Sequence, residues 1–282
     1  MTQDANDIAF IGAGSLAWSL VSGLLEQSAA TPAQLRVGNR SDDDRLNRFA
    51  AIGVNVSRDK GDLIAGARTV VLAVKPQDAA TAIEQIAPNL APGTLLVSAV
   101  AGLPIAFLKE AVPSDVHLIR AMPNTSSLVA QSATAIAAAD GTPEVLVDTA
   151  MNLFRAVGDV YLVEESLLDA VTAVSGSGPA YFYYFTETLI DAAREVGLDA
   201  ELSKALALQT LQGAAAMLRQ DGADPARLRA QVTSARGTTE AALRAMTDLR
   251  LAEAVKQAVH SAAKRSAEIS AGFRSVRAAK GD

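Results

Sequence analysis

The stretch Asp169-Ala-Val-Thr-Ala-Val-Ser-Gly-Ser-Gly-Pro-Ala-Tyr-Phe-Tyr-Tyr-Phe185 divides the 282-residue chain into two kinds of sequence. It reads as the end of one helix, a small-residue break at Ser175-Gly176-Ser177-Gly178, and a second helix restarted by Pro179. Proline suits a first helical turn because its missing N–H would be unpaired there anyway. Upstream the chain alternates strand-like and helix-like patterns; downstream only helical periodicity is left. The break therefore predicts a hinge between an α/β domain and an all-helical one. Its plainer reading is an ordinary turn between two helices.

Working upstream, Ile8-Ala-Phe-Ile11 is a short apolar run followed by Gly12-Ala-Gly-Ser-Leu-Ala17 and a helical pattern through Trp18, Leu20, Val21, Leu24 and Leu25. Strand, glycine turn and helix in that order are the setting in which Gly-x-Gly-x-x-Gly/Ala signals dinucleotide binding. Gly12 permits the tight turn and Gly14 lets the backbone approach a pyrophosphate. The helix start then offers unpaired N–H groups and a partial positive charge. The next strand, near Gln34–Gly38, runs into Asn39-Arg40-Ser41. An NAD-selective site usually carries Asp or Glu here for the ribose 2′-hydroxyl. An amide, a guanidinium and a hydroxyl instead donate to a 2′-phosphate, and the Arg40 fork matches phosphate oxygens best. NADP is thus expected over NAD. The acidic run Asp42–Asp44 opposes that reading, unless it only decorates a helix start, where negative charge is favourable.

Further strands, Thr69–Val74, Leu95–Ser98 and Val116–Arg120, deliver Lys75-Pro76, Ala99-Val-Ala-Gly102 and Ala121-Met-Pro-Asn-Thr125 to one sheet edge. Open α/β sheets bind ligands outside the carboxyl ends of their strands. Thr134–Ala138, a helix over 143–157 and the strand-like Val160–Val163 complete a first domain, 1–163, expected to be doubly wound with a mainly parallel sheet.

The second domain, 164–282, is expected to be all α. Helices are predicted over 166–174, 179–196, 201–218, 225–232 and 250–270, followed by a frayed basic tail from Ala271. A polar loop, Thr233-Ser-Ala-Arg-Gly-Thr-Thr239, opens one more helix at Thr238 or Thr239. This domain is alanine-rich, with few large residues apart from Tyr181–Phe185. About 120 residues of such helices struggle to bury their apolar faces alone. A homodimer at least is predicted.

Composition narrows the chemistry. A net charge of −6 argues against broad attraction to nucleic acid or an acidic membrane. With no cysteine, disulfides, thiolate metal sites and cysteine nucleophiles are excluded. His117 and His260 are far apart in sequence, and no metal site is expected. Met1–Asp7 is polar and acidic without a basic region, so it does not read as a signal peptide. No apolar stretch reaches the ~20 residues that span a bilayer. A cytoplasmic location is expected.

Taken together, these motifs resemble the pyrroline-5-carboxylate reductase family over nearly the whole chain. The most specific are Leu72-Ala-Val-Lys-Pro76, Arg120-Ala-Met-Pro-Asn-Thr125, Leu168–Tyr181 with its Ser-Gly-Ser-Gly-Pro core, and Val232–Thr239. The resemblance implies an N-terminal Rossmann domain and a helical domain that interlocks into a dimer, often in a ring of dimers. It implies NAD(P)H-dependent reduction of the cyclic imine 1-pyrroline-5-carboxylate to L-proline, with NADPH expected here and NADH possible. Carried over by position, Ala13, Ser15 and Leu16 face the cofactor phosphates and Asn39, Arg40 and Ser41 the adenosine ribose. Ala73, Val74, Lys75, Pro76 and Ala101 flank the rest, with Gln231 a weaker candidate. Glu164, Gly237, Thr238 and Thr239 surround the substrate, with Thr239 or Glu164 near the imine nitrogen.

Two departures touch the site. Arg236-Gly237 stands where the family usually has two adjacent glycines, and Lys60 where an Asn near the adenine ribose is common. Rival readings are a reductase of a related cyclic imine, a 3-hydroxyacid-type dehydrogenase, and a non-catalytic NADP-binding sensor. The second is weakened because Pro179–Arg194 contains no lysine. The third leaves the Ser-Gly-Ser-Gly hinge and the 233–239 loop without a purpose.

Overall fold

In a computed structural model of the chain, residues 7–40 and 43–278 are described, with side chains as far as Phe273. Eight strands form one sheet: β1 (Ile8–Ile11), β2 (Leu35–Gly38), β3 (Asn55–Ser57), β4 (Thr69–Leu72), β5 (Leu95–Ser98), β6 (His117–Met122), β7 (Ser132–Ala138) and β8 (Gly158–Leu162). Their spatial order is β3-β2-β1-β4-β5-β6-β7-β8. The strands from β3 to β6 in that order pair in parallel. β7 then runs antiparallel to β6, and β8 parallel to β7. The sheet is therefore doubly wound and mainly parallel, as expected. Its order reverses between β1 and β4, which places a ligand crevice outside their carboxyl ends.

β1, β4 and β5 are buried at every position, which is why they read as continuous apolar runs rather than alternations. Successive residues face opposite sides. Phe10 joins a core with Leu20, Val37 and Phe154, while Ile11 joins one with Leu72, Ile83 and Leu108. β3 escaped the sequence reading because Asn55-Val-Ser57 is short, partly polar and, at the sheet edge, mostly exposed.

The chain divides into two compact units, one running to Ser177 and resuming at Ala262, the other Gly178–Ser261. The division differs from the expected 163/164 boundary because residues 164–177 are tied to the sheet. Leu168 is buried with Ala135 and Ala137. Glu165 Oε1 accepts from Arg120 Nη1 and from the Ile105 N–H, each at 2.8 Å. Asp169 Oδ1 accepts from Ser266 Oγ at 2.6 Å and Ser270 Oγ at 3.3 Å, which returns the last helix to the first unit.

That helix, Leu251–Ala278, corrects the expectation of a frayed tail from Ala271. The Phe273 ring meets Phe107 edge-on at 5.7 Å, so the extra turns have a core to hold them. Residues 279–282 lie outside the described ones.

The second unit contains the helices Gly178–Glu195, Ala200–Leu218, Pro225–Gln231 and Thr238–Asp248 and the first turns of Leu251–Ala278. Asp199 and Asp224 cap two of them, accepting from Leu202 N and Arg227 N. The expected helix over 166–174 is instead a short 3₁₀ turn, one α-turn at Leu168–Val171 and a π-turn at Thr172–Gly176. Ser177 N donates to Thr172 O at 2.8 Å, the five-residue bond of that geometry. The small-residue break is thus a widened turn, and the next helix begins at Gly178.

Candidate active site

The glycine turn is fixed by contacts inside the sheet. Gly12 has φ of +110°, and a Cβ there would lie 2.5 Å from Ala73 O. Its N–H donates to Gly38 O at 2.8 Å, and Ala73 N donates to Ile11 O at 2.9 Å. The ends of β1, β2 and β4 are thereby held together, and only glycine fits the crossing.

Gly14 is a different case. It caps the helix Ser15–Glu26 with extended backbone and no side-chain cap. A Cβ on it would have Ala73 O as its nearest neighbour, at 4.0 Å, so the protein's own packing does not require glycine here. The missing side chain leaves room in front of the first helical N–H groups, which have no partner within the helix. An uncapped helix start behind a bare backbone is what an anionic diphosphate needs, and a dinucleotide fits it. Ser15 is exposed, Leu16 half-buried and Ala13 buried. The turn is braced from below: Ser19 Oγ donates to Ser15 O at 2.9 Å and accepts from Ser127 Oγ at 3.2 Å.

Beside this turn a pocket opens at the ends of β1, β2 and β3, lined by Gly12, Asn39, Arg40, Ser57, Arg58 and Lys60 and walled by Val74, Asp78, Thr81 and Gln85. Gly38 shapes it, because a Cβ there would overlap the Leu63 side chain. The short helix Lys60–Ile64 therefore closes tightly on β2. Arg40 lies 3.6 Å from Asp78, and Arg58 is paired with Asp43. Asn39 Oδ1 accepts from Arg40 N at 2.9 Å. Ser41 lies outside the described residues. Arg58 was not picked out in the sequence. The signal for it would have been β3, since Arg58 follows that strand's end as Asn39-Arg40 follow that of β2.

After β4 come Ala73 and Val74, both half-buried, and Lys75 is the exposed N-cap of the helix Pro76–Ile86, with Pro76 as its first residue. Ala101 is half-buried in the turn after β5. Behind it, Gly102 packs against Ile269 of the last helix.

Glu164 is exposed at the end of β8, beside the engaged Glu165. The π-turn closes on the end of β6: Asn124 Nδ2 donates to Ser175 O at 3.1 Å, and a Cβ on Gly176 would lie 2.5 Å from Met122 Cε. Two of the motifs singled out in the sequence, Arg120–Thr125 and Ser175–Gly178, meet here.

The remaining candidates belong to the second unit. Gln231 ends the helix Pro225–Gln231. Thr238 and Thr239 open the helix Thr238–Asp248, with Gly237 as an N-cap that makes no side-chain cap. Arg236 holds φ of +61°, and Glu240 Oε2 accepts from its N–H at 2.6 Å. Gly237 N donates to Ser234 O at 3.0 Å. The N–H groups of Thr238 and Thr239 are left at a helix start, able to receive a carboxylate.

Comparison with known proteins places these features in context. The family model "Pyrroline-5-carboxylate reductase dimerisation" matches residues 165–269, and "NADP oxidoreductase coenzyme F420-dependent" matches residues 7–102. Pyrroline-5-carboxylate reductase 2 of Bacillus subtilis is 42% identical over 94% of this chain and 96% of its own. The pyrroline-5-carboxylate reductase of Pseudomonas aeruginosa is 39% identical over 93% and 96%. Among solved structures, a pyrroline-5-carboxylate reductase from Coxiella burnetii aligns with a TM-score of 0.88 at 34% identity, covering 95% of this chain and 99% of that one. The Plasmodium falciparum pyrroline carboxylate reductase with NADP bound aligns with a TM-score of 0.84 at 28% identity, covering 94% and 98%.

Proposed function

Because the chain belongs to the pyrroline-5-carboxylate reductase family, we propose that its strand-end pocket takes the adenosine end of NADPH and its 233–239 loop the cyclic imine. The activity is that of the family: NAD(P)H-dependent reduction of 1-pyrroline-5-carboxylate to L-proline, which closes proline biosynthesis. The observation that carries the cofactor placement is the uncapped start of Ser15–Glu26 behind Gly14.

NADPH, when bound, supplies the hydride. The N–H groups of Ser15 and Leu16 hold its diphosphate, Asn39 and Arg40 its adenosine ribose, with Ser41 a further proposed partner there. Ala73, Val74, Pro76 and Ala101 line the path beyond with small or apolar surface, and the exposed Lys75 flanks it. Reduction of a C=N bond depends more on positioning than on a strong base. The N–H groups of Thr238 and Thr239 receive the substrate carboxylate, beside Gly237. Thr239 Oγ1 donates to the nitrogen of the neutral imine, which takes its proton from water as the hydride arrives at carbon. The alternative is that the Glu164 carboxylate stabilises the charge of an imine already protonated from solvent.

The segment 164–282 serves as the dimerisation and substrate-binding part, in line with the family domain matched over 165–269. Exposed Phe182, Tyr183, Tyr184 and Phe185 support a homodimer, and a ring of such dimers is the larger assembly proposed. Among the described residues no helix is long and apolar enough to cross a membrane. With no cysteine in the chain, this supports a place in the cytoplasm.

An initial-rate panel of cyclic imines with NADPH and NADH tests the reading. The highest kcat/KM is expected for 1-pyrroline-5-carboxylate with NADPH. Tight NADPH binding with no turnover of that imine would overturn the substrate assignment and leave the cofactor site standing.

A further inference from the structure

We propose that Arg58 and Lys60, carried by the turn after β3, form a second wall of a 2′-phosphate clamp opposite Arg40, and so set the preference for NADPH over NADH. The inference rests on the placement of the adenosine end in this pocket, and adds to it two residues from a different strand.

Three cations from two strand ends line one pocket, Arg40 after β2 and Arg58 and Lys60 after β3, and among the described residues the two guanidinium groups have carboxylate partners while no ion pair of Lys60 is seen. Like charges brought together cost free energy unless an anion joins them. Among the described residues each guanidinium faces one carboxylate. Asp78 sits near Arg40 and Asp43 pairs with Arg58. Asp59 is otherwise occupied, because its Oδ1 accepts from Asp62 N at 2.9 Å and caps the short helix. A phosphate dianion carries more charge than either carboxylate and more acceptor oxygens for guanidinium forks. In the clamp Arg58 exchanges Asp43 for the phosphate and Arg40 exchanges Asp78.

Backbone placement makes the arrangement specific. Gly38 allows the helix Lys60–Ile64 to close on β2, which brings the β3 turn to the same pocket as Asn39 and Arg40. NADH places only a ribose hydroxyl there, for which neither guanidinium gains by leaving its carboxylate. The clamp thus separates the two cofactors by what it lacks without a phosphate as well as by what it gains with one.

The test is binding to the full-length protein, independent of turnover. Adenosine 2′,5′-bisphosphate is titrated calorimetrically, and NADPH and NADH by nucleotide fluorescence. Arg58→Ala and Lys60→Ala should each weaken the bisphosphate and NADPH about tenfold, as loss of a charge-assisted phosphate contact implies, with NADH changed less than about twofold. Asp43→Asn should tighten the bisphosphate, since Arg58 loses its competing partner; weaker binding would overturn the exchange. If Arg40→Ala lowers the NADPH preference while Arg58→Ala and Lys60→Ala do not, the clamp is overturned and the pocket assignment survives. If none of the three variants alters the preference, the pocket assignment itself falls, and the clamp with it.

Discussion

The two compact units bury their apolar residues in very different proportions. In the sheet unit most large ones are inside: Phe10, Leu20, Leu72, Leu96 and Phe154 have no exposed surface, while those left outside include Val129 in a connection and Tyr161 and Leu162 on the edge strand β8. In Gly178–Ser261 they are outside: Tyr184 is 73% exposed and Tyr183 65%, with Phe182, Phe185, Leu202, Leu206 and Met217 also exposed. Full burial of such a side chain is worth about 2 kcal/mol, so a run of them left in water forgoes most of what would stabilise these helices. The first unit closes cores of its own on both faces of the sheet. A single copy of the second lacks its partner, and the family's dimerisation domain spans this same region.

The sharpest way to break the sheet unit is at Gly12. Gly12→Val forces a β-branched residue to φ of +110° and drives its Cβ into Ala73 O. Loss of NADPH binding is expected, with a destabilisation of several kcal/mol from combined overpacking and backbone strain. Nucleotide fluorescence and thermal unfolding would read both. A variant that binds NADPH normally would show that the β1–β4 crossing is not what shapes the cofactor edge.

Thr239→Ala separates the units by function. If Thr239 holds the imine nitrogen, kcat should fall about 10²-fold, the range for a positioned proton donor. The NADPH Kd should stay within a factor of two, because the diphosphate turn lies in the other unit. Single-turnover kinetics beside a nucleotide titration would check this, and unchanged kcat would remove Thr239 from the chemistry.

Tyr184→Glu addresses the helical unit. A charge placed in a paired apolar face should convert the dimer to monomer, as read by light scattering after gel filtration. Turnover should drop with it, while NADPH affinity changes less than about threefold, since the sheet unit keeps its own core. A fully dimeric variant would move the contact surface away from the aromatic run.

How legible each half was follows from the same contrast. β1, β4 and β5 could be read directly because strands buried on both faces must be continuously apolar. The glycine turn was readable because Gly12 and Gly14 answer to different demands, one steric and one open. β3 and Arg58 were missed because an edge strand of Asn-Val-Ser has no apolar signature. The unit boundary was displaced because its ties are side chains far apart in sequence: Glu165 to Arg120 and Asp169 to Ser266. The tail was underestimated for a similar reason, since nothing near Phe273 announces Phe107 as its partner. In the second unit, helix existence was legible from apolar periodicity, and one start from the polar 233–239 loop before Thr238. What covers those helices was legible only as an excess of apolar residues.

Arg236 offers the finest test, because there the chain departs from its family within the proposed substrate loop. Its φ of +61° lies in the left-handed region, where a side chain costs roughly 1 kcal/mol and glycine nothing. The usual pair of glycines at this point is therefore the unstrained solution, and this chain keeps arginine at a cost. Glu240 holds the strained residue by accepting from its N–H, a backbone bond that glycine would retain. Arg236→Gly should consequently raise stability by about 0.5–1 kcal/mol in denaturant titrations, with the dimer intact. If the guanidinium helps draw in the substrate carboxylate, KM for 1-pyrroline-5-carboxylate should rise a few-fold in the same variant while kcat holds, the pattern of lost uniform binding. Greater stability with an unchanged KM would leave the strain without a catalytic return and confine Arg236 to the loop's own structure.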